Sequence, residues 1–231
     1  TCTPARAALM TGRIAARTGA ARVLFPGDNR GMDLTELTMA TYLKQRGYKT
    51  GCFGKWHLGD IPENGPLKFG FDRYFGLPYS NDMEPMIVYR DNDAIEEPAD
   101  VASLAKRCTE EAIDFMDATP LDQPFFLYFP FTSPHHPVTP EDSFVGQSEA
   151  GIYGDTCEAI DFYSGELYKK VESRGQIENT IFIFTSDHGP WWEGSNGGLR
   201  GRKFETWDGG MRVPFLISWP KVIPSGQVIN Q

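Results

Sequence analysis

Three short apolar runs constrain this chain more than any other feature: "PFFLYF" at 124–129, the apolar part of "NTIFIFTSDHG", and "VPFLISWP". Each is unbroken by charge, too short for a buried helix and bounded by proline, glycine or polar residues, so each reads as a strand buried on both faces. "YKTGCFGKWHLG" reads as a further strand running into a loop. Between these runs lie helical segments at about 35–46, with Leu34, Leu37 and Leu43 apolar and Gly47 as the stop, and at 102–116 and 154–173. Buried strands alternating with helices predict an α/β fold, a largely parallel central sheet flanked by helices on both faces. In such sheets ligands gather beyond the carboxyl ends of the strands. The stretch from Gly59 to Asp100, rich in Gly, Pro, Asn and Asp, reads as loop and rim.

With 231 residues the chain can bury a sizeable core as one domain. Its 22 Lys plus Arg against 31 Asp plus Glu give a formal charge of -9, which disfavours nonspecific binding to nucleic acid or an anionic membrane surface. An anionic substrate must then be met by a local basic pocket. No run approaches the apolar length of a transmembrane helix. The front carries neither an initiator Met nor a signal-like stretch, and "IPSGQVINQ" ends without a closing element, so both ends are expected to be truncated. Cys2, Cys52, Cys108 and Cys157 form no CxxC pair and suggest neither a zinc knuckle nor a disulfide scaffold.

Chemistry-bearing residues gather where an α/β site is assembled. His57 in "GKWHLG", His135 and His136 in "SPHHP" and His188 in "SDHG" all lie in Gly/Pro-marked loops just after strand-like runs. A single histidine is more often a satisfied structural residue; four out of four at strand ends argue for a site. Arg6, Lys55, Lys203, Asp187 and Ser80 sit in the same loops and suggest a pocket for a tetrahedral oxyanion such as sulfate or phosphate. Asp187 and His188 together offer oxygen and nitrogen to a divalent cation, although Asp187 alone reads equally well as a turn residue and Lys203 as a solvated charge. The opening "TCTPAR" reads as a small-residue, proline-containing turn. Cys2 within it is either a small buried thiol or, with Arg6 four residues on, an activated one, and no general base stands beside it in sequence.

"TCTPAR" followed by "AALMTGR" resembles the C-x-P-x-R and L-x-T-G-R signature of the sulfatases. The resemblance continues, in order, through "GYKTGCFGKWHLG", "GLPYSND", "PFFLYFPFTSPHHP", "TIFIFTSDHG" and "GRKFETWDGGMRVPFLISWP", nearly the whole chain. It is nearest the arylsulfatase A and N-acetylgalactosamine-6-sulfatase branch. The resemblance implies an alkaline-phosphatase-like fold and hydrolysis of an aryl sulfate or a sulfated sugar through Cα-formylglycine made from Cys2. It gives Arg6 and Lys55 the task of orienting that group and neutralising charge around it. His57 would take the hydroxyl proton, His135 and Lys203 would act on the leaving oxygen, and Ser80 would hydrogen-bond the sulfate neighbourhood. One calcium or magnesium ion would be held by Asp187, His188 and the group at Cys2. Position 188 carries His where the nearest arylsulfatases usually carry Asn.

The resemblance also implies a formylglycine-generating enzyme as a maturation partner, and an exported location, whether periplasmic, extracellular or lysosomal. It makes residues 1–231 an N-terminal catalytic domain without the family's first strand, its Asp-Asp metal ligands and its smaller C-terminal domain. Alone, the chain is therefore expected to bind calcium weakly and to be inactive. Two other readings compete: a phosphate or phosphonate ester hydrolase of the same superfamily, and a noncatalytic protein that binds sulfated glycans. The loops at 60–100 and 190–198, with Trp191 and Trp192, are expected to line the entrance to the site.

Overall fold

The opening "TCTPAR" is helical in the computed structural model, which describes residues 1–229, and not the turn its proline suggests. Helix α1 spans Cys2–Thr11. Pro4 falls in its first turn, where a backbone N–H has no intrahelical acceptor, so the missing donor costs nothing there. The run of alanines favours propagation, and Gly12 closes the helix in the left-handed conformation with its N–H on the Ala8 carbonyl. Cys2, Arg6 and Met10 follow one another at four-residue spacing on the buried face.

The chain divides into two compact units, Thr1–Tyr163 and Ser164–Gln231. The first is built on a five-stranded sheet of order β4-β3-β2-β1-β5, with β1 at Lys49–Phe53, β2 at Arg73–Gly76, β3 at Val88–Arg90, β4 at Asp93–Glu96 and β5 at Phe125–Tyr128. Strand β1 pairs in parallel with both β2 and β5. The meander β2–β3–β4 extends the sheet antiparallel. The expected α/β architecture is thus present, with a parallel centre and an antiparallel edge. The edge arises inside 59–100, read from sequence as loop, because strands of three and four residues amid Gly, Pro and Asp show no alternation to detect.

Residues alternate across β1, so Cys52 and Phe53 serve opposite faces. On the Phe53 side the ring packs against Phe115 of helix α3 (Leu104–Ala118), centroids 5.6 Å apart. On the Cys52 side a core forms with Ala7 and Met10 of α1, Ala40 of helix α2 (Met39–Lys44), Trp56, Phe69, Phe71 and Tyr74. Each large side chain buried there stabilises the fold by roughly 1.5–3 kcal/mol. Helix α2 is shorter than its apolar pattern suggests because Thr38, whose hydroxyl accepts from the Thr41 N–H, caps it three residues late. Strand β5 is half-buried along its length rather than fully covered.

Helix α4 (Gly151–Ser173) begins in the first unit and ends in the second. The second unit contains strands β6 (Phe182–Thr185) and β7 (Phe215–Ser218), with the short helix α5 (Asp208–Met211) between them. Here expectation is corrected. The two strands pair antiparallel, and their side chains are largely exposed or half-exposed, because a two-stranded ribbon has no further strand among the described residues to cover it.

Gly54, directly after β1, has φ +130° and lies so close to β5 that a Cβ there would stand 2.0 Å from the Pro130 carbonyl oxygen. Replacing it with alanine in the full-length protein is expected to cost at least about 2 kcal/mol and lower Tm by about 4–8 °C in calorimetry. An unchanged Tm would show that the strand tip relaxes freely.

Candidate active site

Beyond the end of β1 the chain keeps hydrogen-bonding to both neighbours. The N–H groups of Gly54, Trp56 and His57 donate to the carbonyls of Phe75, Leu77 and Pro78, and that of Lys55 to Pro130. Both polar side chains of "GKWHLG" are thereby fixed where α/β sheets collect ligands. His57 adopts φ +62°, a left-handed conformation that a non-glycine residue holds only when its surroundings impose it.

Lys55 and His57 meet Cys2 at the start of α1. Lys55 Nζ donates to Cys2 Sγ at 3.4 Å and to Ser80 Oγ at 2.5 Å. One turn along α1, Arg6 donates from Nη1 to the Lys55 carbonyl at 2.6 Å. Ser80 Oγ lies 3.5 Å from His57 Nδ1, and His57 Nε2 lies 3.0 Å from the Leu24 carbonyl. Cys2, Arg6, Lys55, His57 and Ser80 are all buried. The Lys55 ammonium and the positive end of a ten-residue helix therefore meet at residue 2, where negative charge is favoured, and the Arg6 guanidinium is held on the Lys55 carbonyl.

The Leu24 carbonyl can only accept, so Nε2 of His57 carries the proton and Nδ1 presents its lone pair toward Ser80 and Cys2. Burial lowers the His57 pKa below the usual histidine value; a hydrogen bond with Cys2 opposes that shift, and the Lys55 charge adds to it. The ring is neutral at pH 7, as a proton acceptor must be. Leu24 is itself tied to α1, its N–H donating to Thr3 Oγ1 at 3.2 Å.

His135 stands in the adjoining loop after β5. Its Nδ1 is 2.7 Å from the His136 carbonyl and 3.8 Å from Asp82 Oδ1. Two groups that sequence reasoning missed hold this loop. Asn81, buried beside Ser80, donates from Nδ2 to the carbonyls of His135 and Pro137, and Asp82 faces the His135 ring. Their only sequence signal is adjacency to Ser80 in "GLPYSND". His136, the second histidine of that loop, is exposed.

In the second unit Asp187 and His188 follow β6, with Asp187 Oδ1 3.5 Å from His188 Nε2 and His188 Nδ1 2.8 Å from the Gly189 carbonyl. The turn is closed by Gly189, whose N–H donates to the Gly210 carbonyl and whose absent Cβ would lie 1.9 Å from the Gly209 oxygen. Lys203 joins it through its own N–H on the Pro190 carbonyl at 2.9 Å. One carboxylate oxygen and one imidazole nitrogen side by side suit part of the shell of a divalent cation. Among the described residues none of the four cysteines is in a disulfide, and Cys2, Cys52 and Cys108 are buried while Cys157 is exposed.

Residues 1–231 match the sulfatase family profile along their whole length. The chain is 36% identical to N-acetylgalactosamine-6-sulfatase of Homo sapiens, over 100% of this chain and 50% of that protein. It is 37% identical to arylsulfatase A of Homo sapiens, over 97% of this chain and 51% of that protein. It therefore spans about half the length of the curated relatives it matches. Among solved structures, Ps i-CgsB in complex with k-i-k-neocarrahexaose superimposes with a TM-score of 0.85 at 29% identity, covering 97% of this chain and 56% of that one.

The lowered pKa of His57 has a consequence for stability. Below the unfolded value of about 6.5 the unfolded chain binds a proton that the buried ring refuses, so stability is expected to fall as pH drops from 7 through the folded pKa. The slope reaches at most about 1.4 kcal/mol per pH unit for this one group. His57→Gln, which keeps a donor for Leu24, should flatten the dependence between pH 6.5 and 5 in denaturant titrations; an unaltered slope would assign it to other groups.

Proposed function

We propose that this chain, which belongs to the sulfatase family, carries the reacting groups of a sulfate ester hydrolase whose nucleophile is Cα-formylglycine made from Cys2. The observation that carries this reading is the buried Lys55 ammonium, placed between Cys2 Sγ and Ser80 Oγ with Arg6 and His57 beside it. A hydrated formylglycine supplies two hydroxyls on one carbon, one to attack the ester sulfur as the alcohol leaves, the other to lose its proton so that the aldehyde re-forms and sulfate departs.

The roles of this chain's residues follow from their positions. Arg6 and Lys55 offset negative charge gathering around position 2. His57, neutral and with Nδ1 turned toward position 2, accepts the proton whose loss releases sulfate. Ser80 fixes the Lys55 ammonium and donates toward His57. By family pattern, His135 and Lys203 hydrogen-bond or protonate the leaving oxygen, a contribution of typically about 10²–10⁴ in rate. Asp187 and His188 would take part in holding a divalent cation, calcium or magnesium, which would supply positive charge to offset a developing oxyanion. A sulfated sugar or aryl sulfate is the substrate class, a formylglycine-generating enzyme the maturation partner, and an exported compartment the location. No described helix is long and apolar enough to cross a membrane.

The test uses the full-length protein co-expressed with a formylglycine-generating enzyme. Mass spectrometry of the "TCTPAR" peptide should show CH₂SH replaced by an aldehyde, and an aryl sulfate should be turned over well above the matching aryl phosphate; an unmodified thiol or a phosphate preference would overturn the proposal. Cys2→Ser should accept one sulfuryl group and stall, because a lone hydroxyl has no route to an aldehyde; multiple turnover by that variant would exclude the mechanism. His57→Ala is expected to lower kcat by about 10²–10⁴. Chelation should abolish turnover and calcium restore it, with Asp187→Ala weakening calcium affinity in calorimetry.

A further inference from the structure

Two residues of the first unit adjoin the reacting groups in the chain: Asp60 lies three residues after His57, and Tyr79 stands immediately before Ser80. Their side chains meet, the Tyr79 hydroxyl donating to Asp60 Oδ1 at 2.7 Å. Tyr79 is 3% exposed, and burial together with the Asp60 carboxylate raises its phenol pKa, so the O–H stays a donor. Its ring stands edge to face against the His57 imidazole, with centroids 5.5 Å apart and planes at 81°. The imidazole thus packs on a ring whose own tip is fixed.

The same Asp60 oxygen accepts a second bond, from the Gly27 N–H at 3.4 Å. Gly27 belongs to a turn closed by the Asp28 N–H on the Phe25 carbonyl and by the Phe25 N–H on Asp28 Oδ2, both at 3.1 Å. Leu24 leads into that turn, and its carbonyl is the acceptor 3.0 Å from His57 Nε2. Leu24 is therefore held from two sides, by Thr3 Oγ1 on its N–H and by Asp60 through the turn that follows. Asp60 is itself anchored, since its carbonyl accepts from the Asn64 N–H at 2.7 Å and the adjoining Gly59 bridges to Gly31. One carboxylate oxygen ties together the ring beside His57 and the segment whose carbonyl accepts the His57 N–H.

Resting on the hydrolase reading above, in which His57 accepts a proton at Nδ1, we infer that Asp60 and Tyr79 are positioning residues that act through His57, keeping its N–H at Nε2 and its Nδ1 lone pair turned toward position 2. An imidazole whose Nε2–H has lost its acceptor can turn about the Cβ–Cγ bond or carry the proton on Nδ1 instead. In either state the accepting lone pair no longer faces the group it serves. What Asp60 contributes is an oxygen that accepts from two donors, not a charge, which separates its role from those of Lys55 and Arg6. An amide oxygen at the same place would serve equally.

The experiment compares Asp60→Ala, Asp60→Asn and Tyr79→Phe in the full-length protein with two readouts. In the unmatured thiol form, labelled with ¹⁵N-histidine and assigned by the signal missing from His57→Gln, nitrogen shifts above the usual histidine pKa report which ring nitrogen holds the proton. In the matured enzyme, kcat and KM are measured on an aryl sulfate. The parent should show a single Nε2–H tautomer. Asp60→Ala should show a mixture, lower kcat at least about tenfold and leave KM within about twofold. Asp60→Asn should restore the parent tautomer and bring kcat to within about threefold of the parent. Tyr79→Phe keeps the ring and its packing, so it tests the inference even if Asp60→Ala does not fold; it should lower kcat about threefold with Tm and KM unchanged. An unaltered tautomer in Asp60→Ala, a parental kcat in Tyr79→Phe, a KM effect in place of a kcat effect, or an Asn variant as impaired as the Ala variant would overturn the inference. The tautomer is read without turnover, so a parent that holds the single Nε2–H form yet hydrolyses no sulfate ester would remove the hydrolase reading and leave the positioning of the ring standing.

Discussion

A lysine ammonium withdrawn from water is the constraint around which the first unit is arranged. Burying such a charge costs several kcal/mol unless donors and acceptors surround it, and Lys55 is 1% exposed. Its partners come from three distant parts of the chain: Cys2 at a helix start, Ser80 beyond β2, and the backbone ties of residues 54–57 to the strands on either side. None of these can shift without leaving the ammonium poorly solvated. The same contacts that make the charge tolerable therefore hold the surroundings of Cys2 rigid before any substrate arrives, which is the condition for stabilising charge without reorganisation.

Much of this was legible in the residues, for identifiable reasons. The apolar runs at 124–129 and 180–185 became β5 and β6 because flanking Pro and polar residues bound them tightly. Strands β2 to β4 escaped notice because their existence depends on pairing, such as Phe75 with Arg90, between segments with no local pattern. The antiparallel union of β6 and β7 was likewise hidden, since the segment joining them contains only a four-residue helix and long-range pairing sets the direction. "TCTPAR" was misread because proline argues against helix everywhere except its first turn.

The site divides the same way. Side-chain identities at Cys2, Arg6, Lys55, His57 and Ser80 were readable from motif and resemblance. What the motif did not contain was the state of His57, which depends on the carbonyl of Leu24, a backbone group present in every residue and so without any sequence signal. Asn81 was overlooked for a related reason: its work is done on the carbonyls of His135 and Pro137, more than fifty residues away. Side chains that act on substrate leave a pattern of types, whereas those that act on backbone leave none.

Cys2 is 3% exposed in the folded chain. A modifying enzyme must hold the thiol's carbon in its own active site, and the native structure gives it no access. If Cys2 is the formylglycine precursor proposed above, its conversion is a matter of timing: it would have to be finished while the segment is still extended, in competition with formation of α1 and docking of Lys55. Under that reading, any change that hastens collapse of this region would yield a well-folded, thermally normal protein in which residue 2 stays a thiol.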